Sequence, residues 1–289
     1  MIPYEIVHMF TSRPFAGSAL AVVPDAAGLG EGAMTVLAAE FHAAETAFVL
    51  PAADAQEDYR VRVFQPGGES PHGSHSAVGT AATLVRLGLL PAGDAVQGCG
   101  GGRQSLSATA AGATLVSRGT VTTRALDPGP LLAAAGLDRG DATDDPALAT
   151  GFGAGFALLP VRDVGLARAR PNLSQMAADG LGALCVFAWD PGSRTVRARL
   201  FAPGFGIPED PACAPVATAL GLWLTATGRL PARDGTHAYT VHQGVETPRD
   251  ALLGCTITLV NGRPVEGSAT GDVTPVATGT IAVPPAPPR

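Results

Sequence analysis

The chain has 289 residues, of which 19 are basic and 25 are acidic, giving a net charge of −6 at neutral pH. Every basic residue is an arginine. The absence of lysine excludes enzymes that form a lysine Schiff base and nucleotide hydrolases that need a phosphate-loop lysine. The acidic balance argues against nucleic acid or an anionic membrane as a partner, because both attract clustered positive charge.

The composition predicts a soluble, cytoplasmic protein of one large domain or two medium ones. The first ten residues alternate like a strand and do not resemble a signal segment, and no apolar run reaches the roughly 18 residues of a membrane helix. Its four cysteines are far apart in the chain, which argues against a disulfide framework and against a structural zinc site.

An internal repeat divides the chain into two related halves. Residues 64–91 match residues 201–231 in the order of their aromatic, acidic, glycine and proline residues. Phe64 and Glu69, for example, correspond to Phe201 and Glu209. A weaker match places Glu45 opposite Leu184. The repeat predicts two domains of similar fold.

Each half is predicted to run from a strand, through a glycine- and proline-rich loop, into a buried helix. Residues 59–64 and 195–201 alternate as strands do, whereas residues 76–89 and 216–227 are apolar nearly all round. Gly88 and Gly228 stand where a left-handed helix end is expected. If a pseudo-two-fold axis relates the halves, the helix N-termini near Ser74 and Ala214 could face one cleft and bind an anion.

Glu45 is the candidate acid–base group. It stands between alanine-rich neighbours and just ahead of the apolar run 46–50. A carboxyl group held against apolar neighbours has its charged form disfavoured, which suits it to give and take protons near neutral pH. Since its match in the second half is Leu184, only one half carries the acid. A single base favours proton transfer on one face over a two-base racemase.

Six motifs follow one another in an order known from one protein family: residues 41–48 (FHAAETAF), 64–66 (FQP), 69–75 (ESPHGSH), 201–203 (FAP), 206–212 (GIPEDPA) and 243–246 (QGVE). With them the chain resembles the PhzF-like isomerases of phenazine biosynthesis, which are relatives of diaminopimelate epimerase. The resemblance extends from the opening strand to about residue 281. It implies an α+β fold of two pseudo-symmetric domains, each a curled, barrel-like mixed sheet around a central helix, with the active site in the cleft between them.

The resemblance also suggests where the domains begin and end. The first domain would span residues 1–126 and include a returning C-terminal strand at about 275–283, and the second would span residues 127–274. The proline-rich tail 284–289 is expected to be disordered. A homodimer is implied as well.

The same resemblance assigns roles to the site residues. It implies a cofactor-free isomerisation in which Glu45 moves a proton between carbons of a conjugated carboxylic acid. His75 and Asp210 would hold the substrate and stabilise charge. Further substrate contacts are expected from Gly73, Ser74, Ser76, Ser18 and Cys213. No metal is expected, because the spacing of His72 and His75 has no third ligand nearby.

Departures from the family pattern leave the substrate open. Ser74-His75-Ser76 stands in place of Gly-His-Pro, Ser18 replaces an asparagine, and Pro215 lacks an N–H that could cradle a carboxylate. These losses weigh against the phenazine precursor and favour a smaller acid, such as a pyrroline carboxylate of a 4-alkylproline antibiotic pathway. Pro248, which replaces a glycine ahead of Arg249, is a further departure.

Two alternatives remain. One is an epimerase or racemase that uses Cys213 opposite Glu45, although Gly73 stands in the matching position of the first half and the thiol pair is therefore absent. The other is a family member that binds a metabolite without turnover. The repeated acids Glu69 and Glu209 are predicted to be structural and to bond backbone N–H groups of their loops.

Overall fold

A computed structural model describes residues 1–65, 68–71, 73–100 and 102–284. The helices are α1 (Glu31–Phe41), α2 (Ala77–Arg86), α3 (Pro128–Ala134), α4 (Asp163–Arg168), α5 (Leu173–Ala178) and α6 (Ala214–Ala226), with a 3₁₀ turn at Pro203–Phe205. The strands are β1 (Ile2–Met9), β2 (Ser18–Val23), β3 (Glu45–Leu50), β4 (Tyr59–Gln65), β5 (Gly68–Ser70), β6 (Gly93–Cys99), β7 (Gly102–Thr109), β8 (Gly112–Arg118), β9 (Val121–Ala125), β10 (Leu148–Phe152), β11 (Phe156–Pro160), β12 (Leu184–Asp190), β13 (Thr195–Ala202), β14 (Ile207–Asp210), β15 (Gly235–Gln243), β16 (Ala251–Val260) and β17 (Arg263–Ile281).

The chain forms two compact units. The first comprises Met1–Leu115 together with the chain from Thr270 onward, and the second comprises Val116–Ala269. The boundary therefore lies eleven residues before the one expected at 126, since 126 − 115 = 11. The reason is β9, which pairs with β10 and so belongs to the second unit. The returning C-terminal strand expected at about 275–283 is the end of β17, which pairs with β1.

The first unit contains a mixed sheet in which seven strands follow the order β17, β1, β2, β3, β4, β6, β7, and β8 also pairs with β17. β2 runs parallel to β3 and β4 runs parallel to β6, while the other neighbours are antiparallel. The short β5 folds back on β4. Helix α2 contacts β1 and β2 near one side of the sheet and β7 at the other. Contact with strands so far apart in the sheet means that it curls around the helix.

The second unit repeats this plan strand for strand in the order β9, β10, β11, β12, β13, β15, β16. Its parallel pairs are β11 with β12 and β13 with β15, and its other pairs are antiparallel. β14 folds back on β13 as β5 does on β4. Helix α6 packs against β10, β11 and β16. The α+β fold with a central helix in each unit is therefore confirmed.

Both central helices are buried, as their apolar sequences predict. Every residue from Ala77 to Leu84 of α2 is buried, and so is every residue from Val216 to Thr225 of α6. Gly88 and Gly228 follow the helix ends with φ of +72° each, the left-handed conformation expected there. Burial of these helices on all sides fixes their N-termini, where the candidate site residues lie.

Among the described residues, no helix is both long enough and apolar enough to cross a membrane. The proline-rich tail falls almost wholly outside the described residues, which end at 284.

Candidate active site

In the first unit, three strand ends meet at one edge of the sheet. The parallel strands β2 and β3 begin there, at Ser18 and Glu45, and β4, which is antiparallel to β3, ends there at Gln65. β6 is parallel to β4 and ends at Cys99, which pairs with Val61 of β4. Residues 73–76 connect these two places, because Gly73 lies against Cys99 and His75 lies beside Ser18. The strand directions thus gather polar side chains from separate parts of the sequence.

Glu45 is the first residue of β3 and is 3% exposed. Its Oε1 accepts a hydrogen bond of 3.0 Å from Nε2 of Gln65, the last residue of β4. Its Oε2 is buried and has no partner among the described residues. A buried carboxylate oxygen without a partner is costly, because nothing replaces the water it has lost. The arrangement leaves one oxygen available for a ligand.

The repeat partner of Glu45 differs by one residue from the sequence prediction. Thr46 pairs with Phe64 across β3 and β4, and Leu184 pairs with Phe201 across β12 and β13. Since Phe64 and Phe201 are equivalent, Leu184 corresponds to Thr46, and Glu45 corresponds to the residue before Leu184.

That residue is Ala183. A shift of one residue reverses the face of a strand. Leu184 accordingly packs in the apolar cluster that holds Met176 of α5, on the face away from α6. The conclusion that only the first unit carries the acid is unchanged.

His75 is half-buried in the turn before α2, and its imidazole is held by neighbours of the same unit. Its Nε2 lies 3.0 Å from Oγ of Ser18, with the donor set by the tautomer. The ring of Phe10 lies 6.2 Å from the imidazole, centroid to centroid. The Nδ1 atom is buried and has no partner among the described residues. Ser18 is fully buried, so its contact with His75 orients the ring.

The entrance to α2 is tightly packed. The carbonyl of Gly73 accepts a hydrogen bond of 3.0 Å from Nε2 of the fully buried Gln97. A Cβ at position 73 would lie 2.8 Å from Sγ of Cys99, so only glycine fits without movement. Ser76 is the N-cap residue of α2, and its hydroxyl donates a long bond of 3.5 Å to the Gly73 carbonyl. The helix itself begins at Ala77, three residues after the N-terminus predicted near Ser74.

Ser74 is half-buried in the turn between these residues. The role of Ser74, like the substrate contacts assigned to Gly73, Ser76, Ser18 and Cys213, stays a prediction. His72 lies outside the described residues, so the HxxH spacing has no structural description.

In the second unit, Asp210 ends β14 and precedes α6. Its carboxylate accepts a hydrogen bond of 3.2 Å from the backbone N–H of Ala212, and its backbone carbonyl accepts one of 2.7 Å from Nε2 of Gln243. Asp210 is buried, at 7% exposed. Cys213 is half-buried and is the N-cap residue of α6, which begins at Ala214 as predicted. Asp210 therefore shapes the turn into the helix.

Glu69 and Glu209 are structural, as predicted, but their partners are arginines. Glu69 receives two hydrogen bonds from Arg62, and Glu209 receives two from Arg199. Each arginine also lies over the ring of the equivalent phenylalanine, Phe64 or Phe201, at 5.3 and 5.1 Å from the centroid. The Arg62 guanidinium holds the pKa of the Glu69 carboxyl below its usual value. These pairs close the same hairpin in both units.

Sequence reasoning assigned no role to three glutamine side chains of the site region: the half-buried Gln65 and the buried Gln97 and Gln243. Gln65 lies in the motif FQP and Gln243 in the motif QGVE. A polar residue at the end of an apolar strand is the sequence signal that could have identified them. The sequence analysis assigned no role to Cys99 either. Burial, and to a lesser degree the Glu45 and Glu69 carboxylates, raise the pKa of the Cys99 thiol to about 11. It is therefore a neutral packing group at physiological pH.

Comparison with known proteins identifies the family of this chain. Residues 7–279 match the family model PhzC-PhzF, described as phenazine biosynthesis-like protein. The chain is 28% identical to a protein of Escherichia coli K12 named uncharacterized isomerase YddE, with 92% of this chain and 93% of the relative aligned. It is 25% identical to a trans-2,3-dihydro-3-hydroxyanthranilate isomerase of Pseudomonas chlororaphis, over 86% of this chain and 88% of the relative.

A solved structure of a Bacillus anthracis phenazine biosynthesis protein of the PhzF family superposes with a TM-score of 0.86. The superposition covers 98% of this chain and 99% of the other at 21% identity, a likeness that concerns the fold. The family match spans nearly the whole chain, and the named relatives are isomerases. The chain therefore belongs to the PhzF family of phenazine biosynthesis-like proteins and is an isomerase.

Proposed function

We propose that this isomerase moves a proton along one face of a small unsaturated carboxylic acid without a cofactor. The observation that carries the proposal is the buried Glu45 carboxylate, whose Oε2 has no partner in the described structure. Ala183 takes the equivalent position of the second unit, so one base serves both halves of the reaction.

The proton balance is simple. A C–H bond of the substrate breaks and its proton goes to Glu45, while the electron pair enters a π system conjugated with the carboxylate. The same carboxyl group then returns the proton to a different carbon, and the double bond shifts. Because the base is restored and no electrons leave the substrate, the step needs no redox partner.

His75 and Asp210 are proposed to hold this substrate and to stabilise the charge that develops on it. The contact with Ser18 supports the role of His75, because an imidazole held at one nitrogen can present the other to a ligand. The N–H groups of Gly73 and Ser74, in the turn ahead of α2, are proposed to bind the carboxylate, since the positive end of the dipole of the helix that follows attracts anions. That both units act on one substrate in a cleft between them stays a prediction.

For the substrate, we propose a smaller acid than the phenazine precursor, in secondary metabolism, such as a pyrroline carboxylate of an antibiotic pathway. The relative named trans-2,3-dihydro-3-hydroxyanthranilate isomerase supports the class, because its named substrate is a ring carboxylic acid with shiftable double bonds. Pro215, at the start of α6, removes one N–H donor and supports a difference in substrate. A cytoplasmic homodimer is part of the same proposal.

A second candidate is an epimerase that uses Cys213 and Glu45 as opposing groups. The observation in its favour is the place of Cys213 at the N-terminus of α6, where a helix dipole favours a thiolate. Against it, the residue that matches Cys213 in the sequence repeat is Gly73, so the first half lacks a second thiol at that position.

Turnover of candidate acids in D₂O separates the two. An isomerase incorporates deuterium at a new carbon and shifts the ultraviolet band, whereas an epimerase labels an unchanged stereocentre.

Glu45→Gln should lower kcat by at least about 100-fold, the usual contribution of a general base. Glu40→Gln, on the exposed face of α1, is the matched control. Activity of Glu45→Gln within a few-fold of wild type would show that the mechanism is wrong. Cys213→Ala should be tolerated by the isomerase and should abolish epimerisation.

A further inference from the structure

Gln65 is hydrogen-bonded to the carboxylate of the candidate base. Its Nε2 donates to Oε1 of Glu45 at 3.0 Å, and the two residues lie side by side at the same edge of β3 and β4. Glu45 is 3% exposed, so water does not compete freely for that oxygen. The bond uses one carboxylate oxygen and leaves Oε2 without a partner.

We propose that Gln65 is a positioning residue that fixes the plane of the Glu45 carboxylate and assigns proton transfer to Oε2. A carboxylate without such a bond can rotate about its last side-chain torsion, which is broad and roughly two-fold. A neutral amide suits the task, since an arginine donor would form a charge-assisted bond about twice as strong and hold the carboxylate ionised. This inference rests on the proposed function of Glu45 and deepens it.

The second unit supplies independent evidence that the contact is not needed to build the fold. Extending the observed registers by one residue pairs Glu45 with Gln65 in the first unit and Ala183 with Ala202 in the second. The strands have the same order and direction in both units, so the hairpin forms with alanine in both places.

The bonds that do build the hairpin are kept in both units. Arg62 pairs with Glu69 as Arg199 pairs with Glu209, and each arginine covers the equivalent phenylalanine. The repeat thus separates the structural contacts, which occur twice, from the Glu45–Gln65 contact, which occurs once and only where the base lies.

The test is Gln65→Met, which keeps the length of the side chain and removes the amide donor. It is assayed with the acid that the wild type isomerises in D₂O, and Gln56→Met in an exposed loop is the matched control. We expect kcat to fall between about 5-fold and about 100-fold, because a misplacement of about 1 Å can cost the larger factor. KM should change by less than about three-fold, since the substrate contacts remain. Thermal unfolding should match that of the control, since the second unit tolerates Ala202.

A double-mutant cycle distinguishes positioning from a general structural effect. In single-turnover measurements, Gln65→Met added to Glu45→Gln should slow the residual reaction by less than about two-fold, because Gln65 acts only through Glu45. An equal loss in both backgrounds would overturn the inference, as would a Gln65→Met enzyme with wild-type kcat. Near-wild-type activity of Glu45→Gln would refute the proposed function and, with it, this inference. Near-wild-type activity of Gln65→Met alone would refute the positioning role and leave Glu45 as the proposed base. A wild type that isomerises none of the candidate acids refutes both.

Discussion

The two equivalent arginine–glutamate pairs provide a quantitative test of burial within one chain. Arg199 is 4% exposed and Glu209 17%, whereas Arg62 is 26% exposed and Glu69 38%. Removal of Glu209 by Glu209→Ala leaves a buried guanidinium that keeps the carbonyls of Leu166 and Ala169 as acceptors and a long contact of 4.0 Å from Nε to Oε2 of Glu246. Breaking a buried pair from one side typically costs about 3–5 kcal/mol, and we expect about 3 kcal/mol because Glu209 is partly exposed and Glu246 remains.

Glu69→Ala is the matched variant. Arg62 is more exposed and keeps a second ion pair, with Glu31 at 2.9 Å. An exposed pair contributes about 1 kcal/mol or less, so the two variants should differ by about 2 kcal/mol in free energy of unfolding. The lowered pKa of Glu69 means that its contribution is present at neutral pH and is lost as the pH falls through the folded-state pKa.

Urea unfolding followed by fluorescence and by far-ultraviolet circular dichroism measures both effects. The two tryptophans, Trp189 and Trp223, lie in the second unit, so fluorescence reports on the unit that contains Glu209, while circular dichroism reports on both. Glu209→Ala should shift the fluorescence midpoint well below that of the wild type. If Glu209→Ala costs no more than Glu69→Ala, burial does not set the value of these pairs and the reasoning is refuted.

Further predictions concern the entrance to α2 and the cysteines. Gly73→Ala should destabilise the protein by about 1–3 kcal/mol in thermal melts, because the new Cβ would lie 2.8 Å from Sγ of Cys99. Adding Cys99→Ala should recover part of this loss of stability. If the destabilisations of the two single variants simply add in the double variant, the predicted clash is contradicted. At pH 8, iodoacetamide should label Cys213 before Cys99 in peptide mass maps, because Cys99 is 2% exposed and its raised pKa of about 11 keeps the thiol protonated. Labelling of Cys99 should speed up as the pH rises toward 11, and a rate independent of pH would count against thiolate control.

Some site residues could be identified from the sequence because their neighbours in the chain define them. Glu45 opens an apolar run, and that run became β3 with Glu45 as its first residue. Gly88 and Gly228, which follow the two central helices, could be identified in the same way, because the left-handed conformation there is required of a single residue. The α6 start at Ala214 agreed with prediction, whereas α2 starts three residues later than expected, because residues 74–76 form a turn ahead of it.

Other features depend on which strand pairs with which. The sequence repeat placed Glu45 opposite Leu184, whereas the strand registers match it with Ala183. The difference matters because side chains alternate between the two faces of a strand, so a shift of one residue changes the face. β9 joined the second unit through its pairing with β10, a partner more than 20 residues away in the chain. The arginine partners of Glu69 and Glu209 likewise come from the neighbouring strand and replaced the backbone partners that sequence reasoning expected.

By itself, the sequence determined the repeat, the two buried helices, the single acid and the family resemblance, because composition, periodicity and motif order are properties of contiguous residues. Only the tertiary structure decided that Gln65 holds one oxygen of Glu45, that Ser18 orients His75 and that Cys99 fills the space beside Gly73. These contacts join residues 20 to 57 positions apart, and their geometry follows from strand direction and register, which no local pattern in the chain specifies.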